Sequence, residues 1–444
     1  MTAFWLDTLA FFVADFRLEA LKPATVEQIH YVMLDTIGAI AGGAAEPEMQ
    51  ALTAKLAVSP AGEATVIGTD KKAVSAAAAF LNGTAGTFLE MDEGNRFAKG
   101  HPAIHALPAV WALAEIKGLS GKALMEALVL GYEIGARIGI AAALRPDMHP
   151  HGTWGTVGAA TAVAKLLGYD AARIRETINV ASSLTLASSK RTMLEGGTVR
   201  NAYAGISNRM ALMAIDLVEA GFVGERDGLS SVFGRVVSET FDTAKMIDGL
   251  GHAWQIDHNY FKLHSCCRYN HGALDALDLL LAREPVAPDA IERVDVVSYL
   301  YAAELDDQAP RNTLGAKFSV PFAVATRLVR GSSAVENFTW DALRDERVQA
   351  LSKRVFVTED KAMTSRLPQV RPARVDLRLR DGRTLTAAVE ANRGDDQDPY
   401  SRKELTTKYF SLTARVWPRE TADAIRQKFL TLDRASDVRS VLQS

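Results

Sequence analysis

Through the first 250 residues, apolar side chains recur at helical spacing in one segment after another. This property restricts the chain to folds with a large packed helical layer. Ile29, Val32, Met33, Ile37 and Ile40 outline a first helical face, with Thr25 and Gln28 placed as a capping box and Gly42-Gly43 as its stop. Residues 74–90, 102–117, 120–140, 154–167, 171–187 and 200–221 read as further helices. Many are rich in alanine and glycine on more than one face, as expected of helices buried inside a helical domain. Gly131, Gly135 and Gly139 fall four apart on one of them and mark a close helix–helix contact. No strand precedes them, and the chain holds neither a dinucleotide fingerprint nor a P-loop.

After about residue 255 the period changes. Ile291 to Tyr299 is valine-rich and reads as a strand. Val375, Leu377 and Leu379 alternate with charged residues up to Asp381-Gly382, beyond which Leu385, Ala387 and Val389 alternate again, the pattern of a hairpin. Lys317 to Arg330 and residues 341–352 read as helices between these strands. Residues 393–399 form a turn-rich linker, and helical spacing returns from Lys403. The expected class is therefore α+β. A large all-helical domain spans residues 1–258, a smaller α/β domain spans 259–400, and residues 401–444 return to the helical domain, which thus holds both ends of the chain.

A chain of 444 residues is long for one core and suits two domains. Its formal net charge of -3, with no long run of one sign, argues against nucleic acid or an anionic membrane as partner. No apolar stretch reaches membrane-spanning length, and the first residues lack the features of a signal peptide. The two cysteines, Cys266 and Cys267, are adjacent and form no disulfide framework, so a cytoplasmic protein is expected.

Eight of the nine histidines lie between residues 101 and 271, which assigns any imidazole chemistry to the helical domain and its junction with the second. Four clusters carry chemistry. The first runs from Glu90, Asp92 and Glu93 through a glycine-punctuated loop to His101-Pro. The second holds His149 and His151 in a Pro/Gly-rich loop before a helix, where an imidazole tends to stay neutral and can act as a base. The third contains Lys190, Arg191 and Arg200, cations suited to clamping carboxylates, with Gly196-Gly197 allowing close approach of backbone amides. The fourth packs Lys262, His264, Cys266, Cys267, Arg268 and His271 into a dozen residues. Two Cys and two His suggest zinc, but adjacent cysteines are poorly placed to share one ion and Cys-x2-Cys spacing is absent, so no metal is expected. A cysteine beside a cation could be a base or nucleophile, or a plain buried side chain.

In this order and spacing the clusters resemble the MmgE/PrpD family, which includes 2-methylcitrate dehydratase, cis-aconitate decarboxylase and iminodisuccinate epimerase. The matching stretches are Asn82-Gly-Thr-Ala with the acidic run and His101-Pro, Gly131-Tyr-Glu-Ile, and His149-Pro through Gly155-Thr-Val-Gly-Ala-Ala. They continue with the glycine pair before Arg200, Lys262 through His271, Lys317-Phe-Ser and the Gly394–Pro399 turn. The resemblance implies a homodimer, a site between the domains, no cofactor or metal, and proton movement beside a carboxylate of a small di- or tricarboxylate.

Carried over by position, it makes Asp92, His101, His149 and Lys262 catalytic; the chemistry of the clusters themselves adds Cys267 to that set, with Glu90, Arg200, Tyr203, Arg268 and His271 binding substrate. Glu90 and Asp92 compete for the acidic position, and Asp92 is preferred. Arg200 stands where the family usually has lysine, Tyr203 replaces a histidine, and Cys267 stands at a position that is histidine in the decarboxylases. Arginine does not donate a proton at neutral pH, so Arg200 is read as a binder. The expected activity is a hydro-lyase; the alternatives are an epimerase of an amino- or imino-dicarboxylate, in which Cys267 and a histidine face opposite sides of the substrate, and a non-catalytic carboxylate-binding relative.

Overall fold

A computed structural model describes residues 4–58 and 62–442. Among them no helix is long and apolar enough to cross a membrane. The protein is α+β, and its described apolar residues gather into two main cores. The larger runs from Leu6 to Phe261 and resumes from Tyr400 to Val441; the smaller spans Cys266 to Ala387 and recruits Met193.

Helix Ser75–Phe88 is central to the larger core, packed against Pro23–Ala44, Pro102–Lys117 and Tyr203–Glu219. Gly121–Ala141 crosses Gly155–Leu166 where Gly131 and Gly135 meet Gly158. A Cβ on Gly131 would stand 2.7 Å from Ala162 Cβ, so the glycines permit this close crossing. Pro108 lies inside Pro102–Lys117 and leaves the Ile104 carbonyl without its helical donor. The Asn208 amide repairs the break, donating to Ile104 O at 2.9 Å and accepting from the Ala109 N–H at 2.9 Å.

Several expected boundaries move. The first long helix is Pro23–Ala44, opened by Pro23 in the first turn, where a missing N–H is harmless. Thr25 is therefore inside the helix, its hydroxyl given to Asp257 at 3.1 Å, and there is no capping box with Gln28. Gly42 and Gly43 do not stop this helix. A Cβ on Gly43 would fall 1.9 Å from Ala85 O, so the glycine serves contact with the central helix. The helix expected over 171–187 ends at Ser183, because the following loop spends its backbone elsewhere: His149 N–H donates to Ser188 O and Lys190 N–H to Asp147 O. The helix expected over 317–330 divides into Thr313–Lys317 and Val320–Arg330, where Ser319 caps a new start with Pro321 in its first turn.

The smaller core lies beneath a four-stranded sheet of Ile291–Ser298 (β1), Val355–Glu359 (β2), Ala373–Leu379 (β3) and Thr384–Val389 (β4), in the order β4-β3-β1-β2. Only β1 and β2 run parallel. The expected hairpin joins β3 to β4, with Gly382 at φ 90° supplying its turn. Helices Arg268–Arg283 and Val320–Arg330 pack on this sheet. At the far end of the chain, Arg402–Thr413 packs against Pro23–Ala44, and Lys408 reaches Asp35 at 2.5 Å.

Candidate active site

The acidic run begins where helix Ser75–Phe88 ends and its last carbonyls lose their helical donors. Four side chains from three segments take up these carbonyls and the ones that follow. Lys317 Nζ donates to Phe88 O at 3.0 Å, Ser265 Oγ to Leu89 O at 2.7 Å, Lys262 Nζ to Glu90 O at 3.2 Å and Lys408 Nζ to Met91 O at 2.6 Å. His101 Nδ1 then meets Glu93 O at 2.5 Å. The loop is thus held by its backbone, in a conformation that gives Glu90 a φ of 53°.

That backbone separates two acids only two residues apart. The Glu90 carboxylate is paired with Arg200 and lies 3.2 Å from Lys262 Nζ. Burial alone would raise its pKa, but these two cations overcome it and hold it down at about 2. Asp92 is fully buried, 3.7 Å from Lys262 and 3.1 Å from His101 Nδ1. Burial, aided by the Glu90 charge, raises its pKa to about 6.

The two leading histidines have opposite, fixed tautomers. Carbonyl oxygen only accepts, so the Glu93 contact puts the proton of His101 on Nδ1 and leaves Nε2 with a lone pair. The His151 backbone N–H only donates, and it reaches His149 Nδ1 at 2.9 Å. His149 therefore carries its proton on Nε2, a buried atom with no partner among the described residues. Burial first, then neighbouring cations, lowers both pKa values to about 3, so both rings are neutral. The helix-terminus effect expected from the sequence is secondary to this desolvation. His151 stands between them, with ring centroids 5.5 Å from His101 and 6.0 Å from His149.

These groups line a cavity of about 360 Å³ between the helical core and the sheet domain. Glu90, His101, His149, Arg200, Cys267 and Arg268 all reach it. Four other expected site residues do not. Lys262 is fully buried behind Glu90, and Asp92 lies behind it as well, so the lining carboxylate is Glu90 rather than Asp92. His271 is enclosed, with Nδ1 3.0 Å from Arg268 Nη1. Tyr203 is packed behind the imidazoles, 6.0 Å from the His149 ring. Cys267 opens helix Arg268–Arg283, and burial raises its thiol pKa to about 11, leaving it protonated and not a thiolate. Cys266 is buried away from the cavity, and among the described residues no cluster of His, Cys, Asp and Glu could hold a metal.

Arg268 spends much of its guanidinium on Arg393 O at 2.8 Å and Asp395 at 3.0 Å, with its face over the Tyr260 ring. Arg191 is exposed and paired with Glu195, whereas Lys190 reaches the cavity beside Glu304. Gly196-Gly197 lies outside the lining; Gly196 instead docks on Asn312, whose side-chain amide donates to Gly196 O at 2.8 Å. Sequence reading missed Lys99, Tyr269, Tyr301 and Arg371, all of which line the cavity. One signal was available: a lysine before Gly100 in the loop that ends at His101.

The MmgE/PrpD N-terminal domain model matches residues 7–245, and the MmgE/PrpD C-terminal domain model matches residues 264–434. A cis-aconitate decarboxylase from Aspergillus terreus is 25% identical over 448 residues, covering 94% of this chain and 91% of its own length. The cis-aconitate decarboxylase-like protein oryM of Aspergillus oryzae is 25% identical over 95% of this chain and 94% of its own. A cis-aconitate decarboxylase from Mus musculus is 24% identical over 78% of this chain and 74% of its own. Two successive domain models account for most of the sequence, and the chain belongs to the MmgE/PrpD family.

Proposed function

We propose that this protein is a lyase that eliminates water from a small hydroxy-polycarboxylate. His101 Nε2 takes the proton from the carbon beside a carboxylate. The electron pair forms the new double bond as the β-hydroxyl leaves, and His149 Nε2–H supplies the proton that makes it water. The Arg200 guanidinium binds the carboxylate and stabilises enolate-like charge. The observation that carries the reading is the opposed tautomers, one ring offering a lone pair and the other a proton without a partner.

An imidazole with a pKa near 3 is a weak base, and the bound substrate supplies the remedy. Arg200 and Lys262 help depress His101, and a carboxylate entering beside Arg200 offsets that positive field and raises its basicity. The test is a panel of hydroxy-polycarboxylates incubated in deuterated water. Absorbance from a conjugated alkene, lost in His101→Gln and in His149→Ala, is the expected result. No alkene and no deuterium exchange with any substrate would overturn it.

The names of the relatives favour a second reading, decarboxylation of an unsaturated tricarboxylate. There a C–C bond breaks, carbon dioxide leaves, and His149 Nε2–H protonates the carbon that keeps the electron pair. No base is needed, so carbon dioxide release that survives His101→Gln would select it. Deuterium wash-in without net conversion would select epimerisation, with the Cys267 thiol as the opposing proton donor.

A further inference from the structure

We propose that the site continues into a second lobe that receives an additional carboxylate of the substrate, bound by Lys99 and Arg371. This rests on the carboxylate reading above and specifies the substrate class as a polycarboxylate with a distal acid on an apolar arm. The lobe is a pocket of about 230 Å³ that shares Lys99, Tyr269, Leu300, Tyr301 and Arg371 with the main cavity. Among the described residues no carboxylate lines it.

Arg371 is the first anchor. It is almost wholly buried, its guanidinium lying over the Tyr260 and Tyr269 rings at 5.7 and 5.5 Å. One nitrogen, Nη2, donates to Arg96 O at 3.2 Å, while Nη1 is buried without a partner among the described residues. A buried, unpaired guanidinium nitrogen is costly, and a ligand carboxylate satisfies both its charge and its hydrogen bond.

Lys99 is the second anchor. Its side chain is exposed and makes no hydrogen bond or ion pair among the described residues, although it borders both spaces. Its φ is 55°, a left-handed value that non-glycine residues rarely adopt. The turn is enforced by Asn95, whose side chain accepts from the Phe97 and Ala98 N–H groups at 2.9 Å while its backbone pairs with Gly100. Among the described non-glycine residues, only Glu90 shares this conformation, and it also lines the cavity. Strained backbone of this kind clusters at active sites and ligand clamps.

Arg96 also borders the lobe, but it is paired with Asp396 and so adds little free charge. Leu300, Leu367 and Pro368 complete an apolar flank, beside the stacked Tyr269 and Tyr301 rings at 5.5 Å. A chain of methylene carbons fits this flank, with its terminal acid between the two cations.

The test is calorimetric binding of two unreactive probes, succinate and the tricarboxylate tricarballylate, to the full-length protein. The unaltered protein should bind tricarballylate more tightly. Lys99→Gln should weaken tricarballylate about tenfold, the loss expected for one charge-assisted hydrogen bond, and change succinate by less than about twofold. Arg371→Lys keeps the charge but loses the planar fork, and it should weaken the same probe selectively. Equal weakening of both probes by Lys99→Gln, no weakening of either, or no binding of tricarballylate to the unaltered protein would overturn the proposal. Because binding is read without turnover, a protein that eliminates nothing could still pass. Conversely, loss of probe selectivity would leave the histidine assignment untouched.

Discussion

The two walls of the cavity answer burial in opposite ways. The helical wall presents His101, His149 and His151, while the sheet-domain wall presents Cys267, Arg268, Tyr269 and Arg371. An imidazole can escape the cost of burial by losing its proton, and all three do so. A guanidinium has no such route, so Arg268 and Arg371 are instead laid over tyrosine rings and tied to carbonyls and to Asp395. One physical cost therefore produces a wall able to move protons and a wall able only to read charge.

The largest expected difference between them is in acid. The folded-state pKa values of His101, His105 and His149 are lowered from 6.5 to about 3, so between those values the unfolded chain binds more protons. Their contribution to stability is complete above pH 6.5 and is lost as pH falls toward 3, at about 1.4 kcal/mol per pH unit for each ring. The arginine wall contributes no such slope. Thermal midpoints between pH 7 and pH 5 should fall steeply in the native protein and less steeply in a His105→Phe variant. Equal slopes would mean that the rings are not held neutral.

Next in size, His149→Ala should lower kcat about 10²- to 10⁴-fold with a small change in KM, the usual range for general acid–base groups. If KM rises and kcat stays, His149 belongs functionally with the binding wall. Arg200→Gln tests a cation on the helical side. It leaves Glu90 partly unpaired and should cost about 3 kcal/mol in urea unfolding, the scale for breaking a buried pair. Adding Glu90→Gln should recover much of that loss, while substrate affinity stays weak in both variants.

The helical wall was largely legible in the sequence, because helical periodicity marks buried helices and the Pro/Gly loops flag His101 and His149 at their ends. What was not legible depended on backbone placement. Glu90 and Asp92 look interchangeable in the run Glu-Met-Asp-Glu; only the left-handed turn at Glu90 makes one line the cavity and hides the other. Lys262 has the look of a catalytic lysine beside two cysteines, yet it is consumed by Glu90 O and the Glu90 carboxylate. Gly42 and Gly43 read as a stop because glycine is common at helix ends; contact with Ala85 requires the same residue inside a helix. Arg371 stands far from every cluster in the sequence and reaches the cavity from just before β3, a relation that local spacing does not encode.

The smallest expected effect bears directly on how the walls divide the work. Cys267 is the sheet-domain group closest in kind to a proton carrier, and its pKa of about 11 keeps it a neutral thiol. If both transfers use His101 and His149, the chemistry stays on the helical wall, and Cys267→Ala removes only a packing contact at the start of helix Arg268–Arg283. Turnover should then change by less than about threefold, which is under 1 kcal/mol. A loss of about 10²-fold or more would instead put a proton donor on each wall, on opposite sides of the bound substrate. That arrangement returns a proton to the face opposite its removal, and the same variant should then lose deuterium exchange from one face only. A single substitution at residue 267, read by rate and by the stereochemistry of exchange, thus separates elimination along one wall from inversion across two.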